Sequence, residues 1–140
     1  MRISISDDGC YPSRAHASDA GLDLRSTKEH FLHYKERALI DTGVAVEIPE
    51  GYFGLLVLRS SLGTKRGAIL KNTVGVIDSS YRNNIFCSVE NSEERPLIIR
   101  KYERFAQLIL IPILTPEIEV VDTLADTIRG LGGFGSTGEH

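Results

Sequence analysis

The chain has no tryptophan, one methionine and only two cysteines in 140 residues. Cys10 and Cys87 form no CxxC pair, which excludes a disulfide framework; they read as free thiols in a reducing compartment. No apolar run approaches the length of a membrane span. The start, "MRISISDDGCYPSR", lacks the apolar stretch of a secretion signal, so a cytoplasmic, membrane-free protein is expected. Charge of one sign is also missing. Sixteen basic residues face 19 acidic ones, for a net charge of −3. That excludes a general nucleic-acid binder, which needs a basic face, but leaves room for a nucleotide pocket. There is no GxSxG elbow, no GxxxxGK[ST] loop and no Cys-His pairing. His30 and His33 have near-helical spacing but no third ligand beside them, so they do not read as a metal site.

What the sequence does have is short β-branched runs separated by turns. They are "RISI", "RALIDTGVAVEI", "YFGLLVL", "AILKNTVGVI", "NIFCSV", "PLII", "AQLILIPIL" and "IEVV", divided by "PEG", "GTKRG", "DSSYRNN", "ENSEERP" and "TPE". Strand-length runs at this spacing predict an all-β sandwich or barrel. "VAVEI" alternates and predicts one wet face, whereas "LILIPIL" is apolar throughout and predicts cover on both faces. "SSLGTKRG" predicts one or two helical turns after Arg59, and "KEHFLHYKER" predicts strand and turn. Strands this apolar invite closure by symmetric association. One domain over 1–128 is expected. The last stretch, "RGLGGFGSTG" at 129–138, has no periodicity and five glycines, and 129–140 reads as a mobile arm.

Four stretches can carry chemistry. "VLRSSLG" runs an apolar strand into Arg59, Ser60 and Ser61. A guanidinium fork, two hydroxyls and helix-opening amides suit an anion, but an Arg at a strand end and a Ser N-cap fit the same residues. "NTVGVIDSSYRNNI" puts Asp78 at the end of an apolar run, where a partly solvated carboxylate can activate a water, with Tyr81 offering a flat face. A hairpin backbone there could read a base edge; a β-hairpin with a turn Asp is the plainer account. "AGLDL" flanks Asp23 with leucines, so it is either salt-bridged or metal-linked. "ERFAQLIL" offers Arg104, most simply a structural salt bridge, and Gln107.

In order, "AGLDL" at 20–24, "RSSLG" at 59–63, "NTVGVIDSSYRNNI" at 72–85, "ERFAQL" at 103–108 and "RGLGGFGSTG" at 129–138 resemble the five motifs of the trimeric deoxyuridine triphosphate nucleotidohydrolases, the dUTPases. The linking "DTGVAVEIPEGYFG" at 41–54 is similar to the family as well. The resemblance implies a jelly-roll-like β fold and a homotrimer with shared active sites. It implies cleavage of dUTP to dUMP and pyrophosphate with Mg²⁺, limiting uracil entry into DNA and supplying dUMP for thymidylate synthesis. By position, Asp78 would activate the attacking water and Tyr81 would pack on the deoxyribose. Asn72 and the main chain of Gly75, Val76 and Ile77 would pair with uracil, and Phe86 would border the nucleotide. Arg59, Ser60, Ser61 and Gln107 would hold phosphates or Mg²⁺-bound waters. Asp23 would reach the Mg²⁺ shell through water, the ion itself being held mainly by the phosphates. Arg129, Phe134, Gly135, Ser136 and Thr137 would close over the substrate as a lid.

The sequence departs from the family pattern at Ser80, where a second Asp is usual, at Asn83 and Asn84, where a Gly-Glu pair is usual, and at Tyr102, often Gly. Two other readings stand beside hydrolysis. A dCTP deaminase of the same fold needs a Glu base, which the Asp78 segment does not offer. A nucleotide-gated regulatory binder could use "STKEHFLHYKER" for a partner.

Overall fold

A computed structural model describes residues 1–128 and 130–132. Eleven strands and one short helix follow in chain order: β1 (Arg2–Ile5), β2 (Leu22–Arg25), β3 (His30–Leu32), β4 (Arg37–Asp41), β5 (Val44–Glu47), β6 (Tyr52–Leu58), α1 (Ser60–Arg66), β7 (Ala68–Leu70), β8 (Gly75–Ile77), β9 (Phe86–Asn91), β10 (Leu97–Ile99) and β11 (Arg104–Pro112). Every pairing is antiparallel. The larger sheet runs β2-β11-β6-β8. A second runs β4-β9-β7, and β1-β5 and β10-β3 are two-stranded ribbons. This is the all-β architecture the strand pattern predicts, jelly-roll-like as the family resemblance implies, without a single closed barrel.

Alternation decides which faces turn inward. In "VAVE", Val44 and Val46 are buried while Ala45 and Glu47 are half-buried. In β9, Cys87, Val89 and Asn91 point in. These side chains meet Leu24, Ile40, Leu56, Phe105 and Leu108 in one core. Phe105 is completely buried, a burial worth about 2–3 kcal/mol. Burial also pushes the Cys87 thiol up to about 12, so that sulfur is inert. Both cysteines are free.

The strand β6 ends because the chain turns into α1 at Arg59, whose backbone is extended (φ −67°, ψ 140°). The helix stops seven residues later at Gly67, φ +66°, whose amide returns to the last-turn carbonyls. That left-handed stop suits glycine, and Lys65 and Arg66 in the last turn complement the helix dipole.

Four expectations need correction. "IEVV" at 118–121 forms no strand, and Ile118 and Val120 stand more than nine-tenths exposed. "LILIPIL" is covered on one face only: Leu108 is buried, Ile109 to Ile111 are half-buried, and Leu114 is exposed. Both segments lack a packing partner within the described chain. "NTVGVIDSSYRNNI" is not a hairpin. β8 pairs with β6 and β9 with β4 and β7, so the chain crosses from one sheet to the other between them. "AILKNTVGVI" is likewise split, by a turn in which Thr73 takes φ +64°. Among the described residues, no helix is long and apolar enough to cross a membrane.

Candidate active site

Two half-sites lie on opposite ends of the larger sheet. The first is a cleft of about 400 Å³ lined by Gly21, Asp23, Arg59, Ser60, Gln107 and Ile109 with the 15–20 loop. It exists because β11 pairs with both β2 and β6, setting Gln107 opposite Asp23 on one side and Val57 on the other. Gly21 makes room for Gln107: a Cβ there would meet the Gln107 Oε1 at 2.1 Å.

Asp23 sits under this cleft, buried. One carboxylate oxygen lies 3.2 Å from the Arg59 Nε and the other accepts from the Arg104 guanidinium at 3.1 Å. Asp23 is therefore salt-bridged, and Arg104 carries the structural bridge expected of it. A doubly engaged carboxylate does not ligate a cation directly, but it retains lone pairs to accept from water. Arg59, about one-third exposed, is held by that carboxylate with its free edge towards the cleft. Arg59, not a serine, is the N-cap of α1, and it makes no side-chain cap bond. Ser60 and Ser61 are exposed first-turn residues, and the amides of a first turn have no intrahelical acceptor. The Ser60 carbonyl accepts from the Thr64 hydroxyl at 2.7 Å. Sequence reasoning missed Asp19, which also lines the cleft. A hydrogen bond from the His16 amide holds its carboxyl below the usual range; nothing in "SRAHASDA" marks it as a site residue.

The second half-site is the outer edge of the sheet. β8 bonds only to β6 among the described strands, leaving one backbone edge of Gly75, Val76 and Ile77 open. Val76 is well exposed while Gly75 and Ile77 face the core. Asp78 follows at once, exposed, and the Tyr81 amide donates to its carbonyl at 3.1 Å. The Tyr81 ring packs on the core and its hydroxyl donates to the Asn84 carbonyl at 2.8 Å. Asn84 in turn donates to Asp41 at 3.2 Å, so one of the two asparagines that depart from the family pattern braces the tyrosine. Asn72 is exposed before β8, and half-buried Phe86 opens β9 opposite Asp41. Ser80 lines a separate cleft with Met1, Arg2, Glu47 and Arg82. Arg129, Phe134, Gly135, Ser136 and Thr137 lie outside the described residues.

The halves do not meet within one chain. The β6-β8 register pairs Gly54 with Ile77, which sets Asp78 beside Phe53. Arg59 lies six residues further along β6, roughly 20 Å away at about 3.3 Å per residue.

Comparison with known proteins places this geometry. The dUTPase family profile matches residues 7–138. A deoxyuridine 5'-triphosphate nucleotidohydrolase of Escherichia phage T5 is 41% identical, covering 99% of this chain and 98% of its own. That of Paraburkholderia phytofirmans is 42% identical, covering 92% and 89%. Among solved structures, a variant of the Staphylococcus bacteriophage 80alpha dUTPase with dUpNHpp superposes with a TM-score of 0.88 at 32% identity, covering 98% and 97%. A variant of the dUTPase from phage phi11 of S. aureus, described with a structural Mg(II) ion, superposes at 0.80 and 29% identity, covering 88% and 97%. A profile match over nearly the whole length and relatives above 40% identity leave one conclusion: this chain belongs to the dUTPase family of deoxyuridine triphosphate nucleotidohydrolases.

Proposed function

We propose that the chain hydrolyses dUTP to dUMP and pyrophosphate, with Asp78 as the general base and with each site completed by neighbouring copies in a homotrimer. One observation carries the reading: an open strand edge, Gly75–Ile77, ends directly on an exposed carboxylate with a braced tyrosine three residues on. Fixed N–H and C=O groups on that edge suit uracil. Cytosine would leave them mismatched, a penalty that gives about 10⁴-fold rejection in sites of this kind. The Tyr81 ring, held by the core and by Asn84, is a rigid wall against which a deoxyribose fits and a 2′-hydroxyl does not. Asp78 takes the proton of the water that attacks the α-phosphate in line, opposite the departing pyrophosphate.

The separation of roughly 20 Å along β6 is the support for shared sites. It is far longer than the stretch from α- to γ-phosphate, so an Asp78 and an Arg59 that act on one triphosphate come from different copies. Arg59, Ser60, Ser61 and Gln107 of one chain then receive the phosphates of a nucleotide whose base sits on its neighbour. Residues 129–140, with Arg129, Phe134, Gly135, Ser136 and Thr137, are read as the lid.

The donor set fits an ion that arrives on the substrate. Among the described residues no cluster of three His, Cys, Asp or Glu side chains could hold a metal, and both Asp23 oxygens are already engaged by arginines. Mg²⁺ bound to the triphosphate would offset its charge. The Asp23 carboxylate and the Gln107 side-chain carbonyl would accept from its waters. Incubation with dUTP and with dCTP tests the reading: pyrophosphate from dUTP alone is expected, and ammonia from dCTP would overturn it. Asp78→Asn should cut turnover by about 10²–10⁴-fold while nucleotide binding persists.

A further inference from the structure

Tyr102, where family members often have glycine, stands at φ +66°. A bulky residue is strained there, and such strain persists only where the surroundings hold it. The hold is visible: the Tyr102 amide donates to the Ser26 carbonyl at 2.8 Å, and its own carbonyl accepts from Arg25 at 2.8 Å. Burial gives only part of a return, since Tyr102 is 44% exposed.

The ring borders a cleft of about 560 Å³ shared with Arg66, Pro96, Ile98, Arg100 and Lys101. Its cations are unequally committed. Arg66 is paired with Glu103. Lys101 lies 3.2 Å from Asp8 and 4.8 Å from the Tyr102 ring centroid. The Arg100 side chain has no hydrogen-bond or ion-pair partner among the described residues. The apolar side is formed across the β10-β3 ribbon, where Ile98 stands opposite Phe31. Directly opposed residues share a face, and these two are 41% and 50% exposed. An apolar pair thus runs into a cationic rim beside an exposed, strained aromatic, and none of these residues belongs to either half of the nucleotide site.

We propose that this face binds an acidic, apolar segment of a partner protein. The segment's apolar side chains would rest on Phe31 and Ile98, and its carboxylates would meet Arg100 and Lys101 beside Tyr102. Charge selects the occupant. A nucleic acid would need a track of uncommitted cations, whereas one unpartnered guanidinium and Lys101 beside the apolar Phe31–Ile98 pair match only a carboxylate or two set among apolar side chains.

The test is fluorescence anisotropy on the full-length protein, with a labelled peptide alternating Asp or Glu with Phe or Leu. Saturable binding that weakens with salt is expected. Arg100→Glu should weaken it about tenfold or more and leave dUTP hydrolysis unchanged. Tyr102→Gly should weaken binding while raising Tm, a split that a merely structural tyrosine would not produce. Phe31→Ser should weaken binding too. Absence of saturable binding, or equal binding by the three variants, would overturn the proposal. So would tighter binding of labelled oligo(dT), or displacement of the peptide by dUpNHpp. Displacement by a peptide of residues 115–126 of this chain would make the face an interface between copies instead.

Discussion

Removing Arg104 isolates what Asp23 does. Arg104→Ala leaves a buried carboxylate with one guanidinium instead of two. Breaking a fully buried pair costs about 3–5 kcal/mol. Here both arginines are about one-third exposed and Arg59 remains, so a loss of about 1.5–2 kcal/mol is expected, near the value of one charge-assisted hydrogen bond. Asp23→Asn should cost a similar amount, because two cations lose their counter-charge. The double variant should cost less than the sum, with a coupling of about 1–2 kcal/mol for residues in direct contact. Urea unfolding at one fixed chain concentration measures all four proteins; fixing the concentration matters if copies associate. Pyrophosphate release provides the second readout. Arg104→Ala should raise KM for dUTP, since Arg59 is then drawn onto Asp23 alone, while kcat falls less. Additive stabilities, or an Arg104→Ala protein within about 0.3 kcal/mol of the parent, would refute the idea that Asp23 orients Arg59 through a shared ion network.

Tyr102→Gly should stabilise the fold by about 1 kcal/mol, since the left-handed backbone no longer carries a side chain; an unchanged urea midpoint would deny the strain. His30 is buried, its Nε2 has no hydrogen-bond partner among the described residues, and burial, then Lys28, lowers its pKa from 6.5. The unfolded chain therefore binds the proton first, and stability is lost as pH falls below about 6.5. His30→Leu should flatten that acid limb, as read by thermal unfolding between pH 7 and 5. Mixing Asp78→Asn chains with Arg59→Ala chains under subunit exchange should restore roughly a quarter of native turnover, because about one site in four draws its intact Asp78 and Arg59 from different copies. No recovery in verified mixed trimers would mean that each chain builds its own site.

Local signals carried the strand content. "VAVE" alternates and turns inward as it reads, and "YFGLLVL" becomes β6 because β-branched and bulky residues fill a half-buried pleat. Ser60 to Arg66 makes the short helix expected after Arg59. Five motifs in order were enough for the family and its reaction, since their chemistry is written in residue types. Sheet membership was not. β8 and β9 are neighbours in sequence, yet hydrogen-bond to different strands, because pairing is settled by which apolar faces must be covered and not by proximity along the chain. "IEVV" has strand composition but no partner among the described residues, and composition cannot supply the other half of a ladder. Asp23 lies 81 residues from Arg104 and 36 from Arg59 in the sequence, so no spacing rule joins them; β11 does, by lying between β2 and β6. The same sheet keeps Asp78 and Arg59 at opposite ends of β6. The sequence by itself determined the family, through five motifs in order, and the strand content; only the tertiary structure decided which of the motif residues meet within one chain, because a strand is a rigid spacer of about 3.3 Å per residue.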